Sequence, residues 1–151
     1  IWVRDLSLRL TWISPSVNRL RGIPADAAVR AGLEEILTPR SAQEARNVLQ
    51  RMLDRAEREG PEAVHSESIT VEMEVRRVDG STVWTETALR FLADEEGKPR
   101  AVLGVTRDIS RRRQLEDELR AANAELERRV ARRTQDLHEA LEDVRRLQGL
   151  P

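Results

Sequence analysis

Polar and apolar positions change period along the chain, and each change predicts a new element. Trp2, Val3 and Leu6, then Leu10, Trp12 and Ile13, form two short apolar segments on either side of Asp5 to Arg9, which predicts a first β-hairpin. Ser14-Pro15 predicts a helix start, because Ser can satisfy a free amide and Pro suits the first helical position, and Gly22 predicts its stop. Pro24 to Ala31, closed by Gly32, predicts another short helix. The clearest helical pattern starts at Ser41, where Ser41 and Glu44 have the spacing of a capping box. Ala45, Val48, Leu49, Met52, Leu53 and Ala56 then follow a period of about 3.6 residues, and Gly60-Pro61 ends the run.

The period next shortens to two. Ile69, Val71, Met73 and Val75 alternate with Thr70, Glu72, Glu74 and Arg76, the signature of a strand with one face buried. Asp79-Gly80 is a hairpin turn signal. A second strand runs from Thr82 to Ala93, a turn falls at Glu95-Glu96-Gly97-Lys98, and Pro99 to Asp108 makes a third strand. Two strands, several helices and three consecutive antiparallel strands predict an α+β domain with a five-stranded antiparallel sheet and helices on one face.

From Ser110 the pattern becomes helical again and meets no Gly or Pro through residue 148. Leu115, Leu119, Ala122 and Leu126 form one heptad seam, and Val130, Thr134, Leu137, Leu141 and Val144 form another, out of step with the first by one residue. Half of residues 111 to 148 are charged. Glu116 with Arg120, Glu125 with Arg129 and Glu142 with Arg146 have the favourable order, each pair contributing about 0.2–0.5 kcal/mol. So small a gain cannot hold an isolated helix of this length rigid. The apolar stripe therefore predicts a partner surface, supplied most simply by a parallel homodimer, with folding back onto the domain as the alternative. The expected organisation is a domain over 1–109 and a dimeric coiled-coil helix over 110–151. Arg111, Arg112 and Arg113 set positive charge at the positive end of the helix dipole, so Asp108 or Ser110 is expected to cap the first amides.

Composition narrows the function. Across 151 residues, 26 Lys and Arg balance 27 Asp and Glu, so the long-range field is weak and predicts no nucleic-acid or acidic-lipid partner. The absence of Cys excludes disulfides, thiol nucleophiles and thiolate metal sites, and suits a cytoplasmic setting. No apolar run approaches the roughly 18 residues of a membrane span. The chain starts inside a strand-like pattern and stops at Pro151, so it is expected to be a piece of a longer protein whose effector follows, and whose membrane anchor, if any, precedes.

Trp12-Ile13-Ser14-Pro15-Ser16-Val17, Gly22-Ile23, Arg76 to Ser81, Trp84, Gly97-Lys98-Pro99 and Gly104 to Ser110 together resemble a PAS sensor domain, over essentially the whole chain. Asp108-Ile109-Ser110 is similar to the Asp-Ile-Thr ending of many bacterial PAS domains, and Leu126 to Leu141 resembles the signalling helices that follow them. The resemblance implies a PAS fold and a non-catalytic sensory or dimerising module inside a larger signalling protein, such as a histidine kinase of a two-component system or a cyclic dinucleotide enzyme. It also implies that Asp108 makes a polar tie between strand end and helix, with Arg76, Arg77, Arg107 or the first helical turn as partner.

PAS domains differ mainly in what lies between sheet and helices. Haem-holding members use a His on the long helix and photosensory ones a nearby Cys, but Ser41 to Glu59 has no His and the chain no Cys. With 3 % aromatic residues a flavin would find few stacking partners. No cofactor is therefore expected, while a small organic ligand stays open beside simple core packing. The inward candidates are Ile13, Val48, Met52, Ile69, Val71, Met73, Leu89, Phe91, Leu103 and Val105, with Thr85 and Thr87 able to hydrogen-bond a polar ligand or the backbone. Trp84, Ala88 and Leu92 fall on the opposite side of their strand and predict a cover, an N-terminal helix or a second subunit. His138-Glu139 invites comparison with a phosphoacceptor His, but Ala140-Leu141-Glu142-Asp143 departs from the Leu-Arg and Thr-Pro that follow it in kinases. His138 is read as a solvated coiled-coil residue; for the chain as a whole, the alternatives to a sensory module are the start of a kinase phosphotransfer region using His138 and a constitutive dimerisation spacer. His65, in a polar loop beside Ser66 and Glu67, is read as a surface histidine.

Overall fold

A computed structural model describes residues 1–60 and 62–149; Pro61, Leu150 and Pro151 lie outside the described residues. Two compact units are present, Ile1–Ser110 and a second beginning at Arg111. In the first, strands β1 (Trp2–Asp5) and β2 (Leu10–Ile13) precede helices α1 (Val17–Arg21), α2 (Ala25–Ala28), α3 (Leu33–Ile36), α4 (Pro39–Glu59) and α5 (Glu62–His65). Strands β3 (Ile69–Arg76), β4 (Thr82–Ala93) and β5 (Pro99–Asp108) close the unit. The sheet order is β2-β1-β5-β4-β3, antiparallel throughout. The early hairpin thus joins the late meander through β1 and β5, which places both chain-distant ends at the sheet centre.

The core forms between one sheet face and the apolar stripe of α4. Ala42, Ala45, Val48, Met52 and Ala56 are buried against Met73, Val75, Leu89, Phe91 and Val102. Burying side chains the size of Val48 and Met52 contributes about 1.5–3 kcal/mol each. Thr38 and Pro39, not Ser41, start this helix. Ser41 lies in its first turn, buried, and its hydroxyl accepts the Glu74 amide at 2.8 Å, while the Thr38 amide donates to the Glu74 carbonyl at 3.2 Å. The predicted capping box is therefore replaced by a clamp on the free edge of β3, where unpaired backbone groups would otherwise face water. α3 and α5, each a single turn, had no periodic signal to announce them. α1 ends at Gly22, whose φ of 78° lies in the left-handed region; a Cβ there would sit 3.0 Å from Val78.

The second unit is the helix α6, which starts at Ser110 and runs to Leu147. Leu115, Leu119, Leu126, Val130, Leu137, Leu141 and Val144 are all exposed, with Leu137 at 63 %. Ala122 and Thr134 share that stripe and are exposed as well. The charged residues pair, but with some exchange of partners: Glu125 reaches Arg129 at 3.2 Å as expected, whereas Arg120 turns to Asp117 and Arg146 to Asp143. Arg112 lies 3.6 Å from Glu116.

Candidate functional site

Between the sheet and the helices lies a cavity of about 390 Å³, within the range of small-molecule sites. Of the sequence-predicted lining, Ile13, Met52, Met73 and Leu89 reach it. Val48 and Phe91 are buried in the core beside it, and Ile69 and Val71 pack partly buried against that core. Thr85, 0 % exposed, spends its hydroxyl on the Met73 carbonyl at 2.8 Å, the backbone alternative foreseen for it. Thr87 pairs with the Thr106 hydroxyl at 3.0 Å, and Thr106 accepts the Trp2 indole N–H at 2.9 Å.

Leu103 and Val105 do not face the cavity. On β5 the inward series is Val102, Gly104, Thr106 and Asp108, and Val105 on the other side is 48 % exposed. Leu103 and Val105 belong instead to the outer face, opposite Val3 and Ala88, with Trp12 next to Val3 across β1 and β2. Trp84, Ala88 and Leu92 share that outer face. The reason for the reversed phase is Trp2. Its indole occupies the space over Gly104, its ladder partner, where any Cβ would collide with the ring. The inward side of β5 is thus small and polar where it receives a large aromatic ring from β1.

The cavity also holds two groups that periodicity did not single out. Arg4 and Arg21 line it, 6 % and 7 % exposed. Arg4 donates to the Leu8 carbonyl at 2.7 Å and lies over the Trp2 ring, 5.2 Å from its centroid. Leu8 itself has a φ of 66°, so its turn is held in an unusual conformation with that carbonyl turned to Arg4. The available sequence signal was the inward register of Arg4, two residues from Trp2 on the same strand face.

At the end of β5 the junction residues meet. Asp108 Oδ1 accepts the Ser110 amide at 2.8 Å, satisfying a free donor at the start of α6. Asp108 Oδ2 lies 3.7 Å from Arg77 Nη2. Ile109 is buried, and its amide donates to the Trp84 carbonyl at 3.0 Å. Arg76 does not share this cluster; its Nε donates to the Leu37 carbonyl at 3.1 Å, since alternation turns it away from Arg77. Arg107 stands opposite Glu86 on the outer face. His65 is not a free surface group. It is half-buried, and its Nε2 donates to the Gly97 carbonyl at 2.8 Å, tying α5 to the β4–β5 turn. His138 is exposed on α6, 3.4 Å from Glu142. Among the described residues no cluster of three or more His, Asp or Glu is arranged to hold a metal ion.

Comparisons with known proteins agree with this fold. The family profile described as PAS fold matches residues 1–114. A sensory box histidine kinase/response regulator from Burkholderia thailandensis E264 is similar at 23 % identity and a TM-score of 0.55, covering 84 % of this chain and 88 % of that one. The N-terminal domain of a diguanylate cyclase with PAS/PAC sensor from Marinobacter aquaeolei is similar at 17 % identity and a TM-score of 0.54, covering 74 % and 95 %. A PAS domain from Colwellia psychrerythraea reaches a TM-score of 0.56 at 19 % identity, covering 73 % and 85 %. No curated protein matches the sequence. The profile spans the whole first unit, and the chain belongs to the PAS fold family.

Proposed function

We propose that this chain is a non-catalytic sensory and dimerisation module of a bacterial signal-transduction protein, in which a signal received in the cavity or at the sheet passes through Asp108-Ile109-Ser110 into a parallel two-stranded coiled coil. The observation that carries the reading is the position of Asp108. It lines the cavity, ends the central strand β5 and holds the first amide of α6, so one side chain belongs to receptor and transmitter alike. The exposed stripe of α6 supports the dimer, because an apolar seam of that length finds little compensation in single-helix ion pairs. The change of phase between Leu126 and Val130 leaves two competing seams, an element with two packings of similar energy that a small shift at its start can bias.

The similar sensory box histidine kinase/response regulator and diguanylate cyclase with PAS/PAC sensor support an effector following the helix in a longer parent; a cytoplasmic setting for this piece is part of the proposal. The proposal includes no cofactor and no nucleic-acid or membrane contact in this piece; among the described residues no helix is long and apolar enough to cross a membrane. Light scattering tests the dimer. The unmodified chain is expected to run as a dimer and Leu119→Glu with Leu137→Glu as a folded monomer; a double variant that stays dimeric would move the interface to the sheet.

A further inference from the structure

The cavity buries two guanidinium groups, and among the described residues neither is in ion-pair contact with a carboxylate. Arg4 bonds to a backbone carbonyl and an aromatic face. Arg21 donates through Nε to the Arg76 carbonyl at 2.9 Å, and its Nη1 is buried with no hydrogen-bond partner. Carbonyl dipoles satisfy donors but do not neutralise charge. The two cations also disfavour each other: Arg4 is pushed down to about 10, first by burial and then by the Arg21 charge, against the opposing pull of Asp5. Burial lowers Arg21 as well, against Glu35. Asp108 lines the same cavity, but its oxygens are engaged by the Ser110 amide and Arg77.

A buried charge without an ion-pair partner is costly, and an anion brought into the cavity would offset that cost for both groups at once. The rest of the lining is mostly aliphatic, with Ile13, Leu49, Met52 and Leu89 facing the same space. We infer that the cavity binds a small organic carboxylate, its head between Arg4 and Arg21 and its apolar body against Met52 and Leu89. This rests on the sensory reading of the cavity and adds the class of ligand. It also supplies a route to the junction. The Arg21 carbonyl accepts the Val78 amide at 2.9 Å and its Nε holds Arg76, so both neighbours of Arg77 are tied to Arg21. An anion that draws Arg21 into the cavity acts on the segment that carries the partner of Asp108.

Calorimetric titration of the full chain with hexanoate and with its neutral isostere hexanamide, at equal ionic strength, tests the inference. Hexanoate should bind at least about tenfold more tightly, the discrimination expected of charge-assisted hydrogen bonds. Arg21→Met should lower hexanoate to the level of the amide, and Arg21→Lys should restore part of the preference, with circular dichroism confirming that both variants fold. Equal affinity of the unmodified chain for acid and amide would overturn the carboxylate assignment while leaving a ligand-binding sensor intact. No binding of hexanoate at millimolar concentration would overturn it too. The sensory reading itself stands or falls separately, on whether the state of the junction reaches α6.

Discussion

The guanidinium of Arg77 stands 3.7 Å from the carboxylate of Asp108, joining the segment that follows β3 to the last residue of β5. Both side chains are partly exposed, so the pair by itself contributes about 0.2–1 kcal/mol. The second oxygen of Asp108 has a different task, accepting the Ser110 amide at 2.8 Å. Asp108→Ala is expected to cost about 1 kcal/mol in chemical denaturation, more than Arg77→Ala, because it loses the cap as well as the ion pair. A double-mutant cycle isolates the pair; a coupling indistinguishable from zero would leave only the cap.

Gly104 is expected to be intolerant of any side chain. Trp2 covers it so closely that Gly104→Ala must displace the indole, with a cost of about 1–3 kcal/mol from overpacking. Displacement would also break the Trp2–Thr106 hydrogen bond, so the tryptophan fluorescence of the variant should shift with its stability. Unchanged emission and stability would contradict this packing.

Ser41→Ala probes the clamp between α4 and β3. The substitution removes the acceptor of the Glu74 amide without changing the helix start at Thr38 and Pro39. A loss of about 1–3 kcal/mol is expected from an amide left unpaired in a partly buried site. A negligible change in denaturation midpoint would mean that water replaces the hydroxyl at no cost.

Acid stability should carry the signature of Asp5. Its Oδ1 accepts the Ser7 hydroxyl at 2.7 Å, the Arg9 amide at 2.9 Å and the Ser7 amide at 3.0 Å, and these bonds, the hydroxyl first, hold the carboxyl below its ordinary 3.8. A carboxyl with a lower pKa folded than unfolded stabilises in full above the unfolded value, and that contribution is lost as pH falls through the folded one. The Tm of Asp5→Ala should therefore lie below that of the unmodified chain at neutral pH and converge with it below 3.8. A constant gap down the acid limb would exclude the carboxylate as its source.

How much of this was legible in the residues depended on whether apolar character and inward direction coincide. On β3 and β4 they do, so alternation alone puts Met73, Val75, Leu89 and Phe91 on the buried face. On β5 they part company. Its inward positions are Gly104, Thr106 and Asp108 beyond Val102, while Leu103 and Val105 point outward, because Trp2 from a distant strand fills the space that Gly104 leaves. Arg4 and Arg21 escaped for a related reason, since burial of an arginine depends on partners far apart in the chain and arginine is ordinarily exposed. The Asp108 tie was anticipated, but only three-dimensional register could choose Arg77 over Arg76, its neighbour on the opposite side of the backbone.

The proposed transmission from the end of β5 into paired helices is tested most directly by spin-label distances along α6. The chain has no Cys, so nitroxides can be placed singly through Ala121→Cys and Arg145→Cys. Short distances between like positions at both sites, set by parallel helices about 8–10 Å apart, are the expected result, with the distributions shifting when Asp108→Ala is added. Absence of dipolar coupling at both sites, or distributions that Asp108→Ala leaves unchanged, would contradict it.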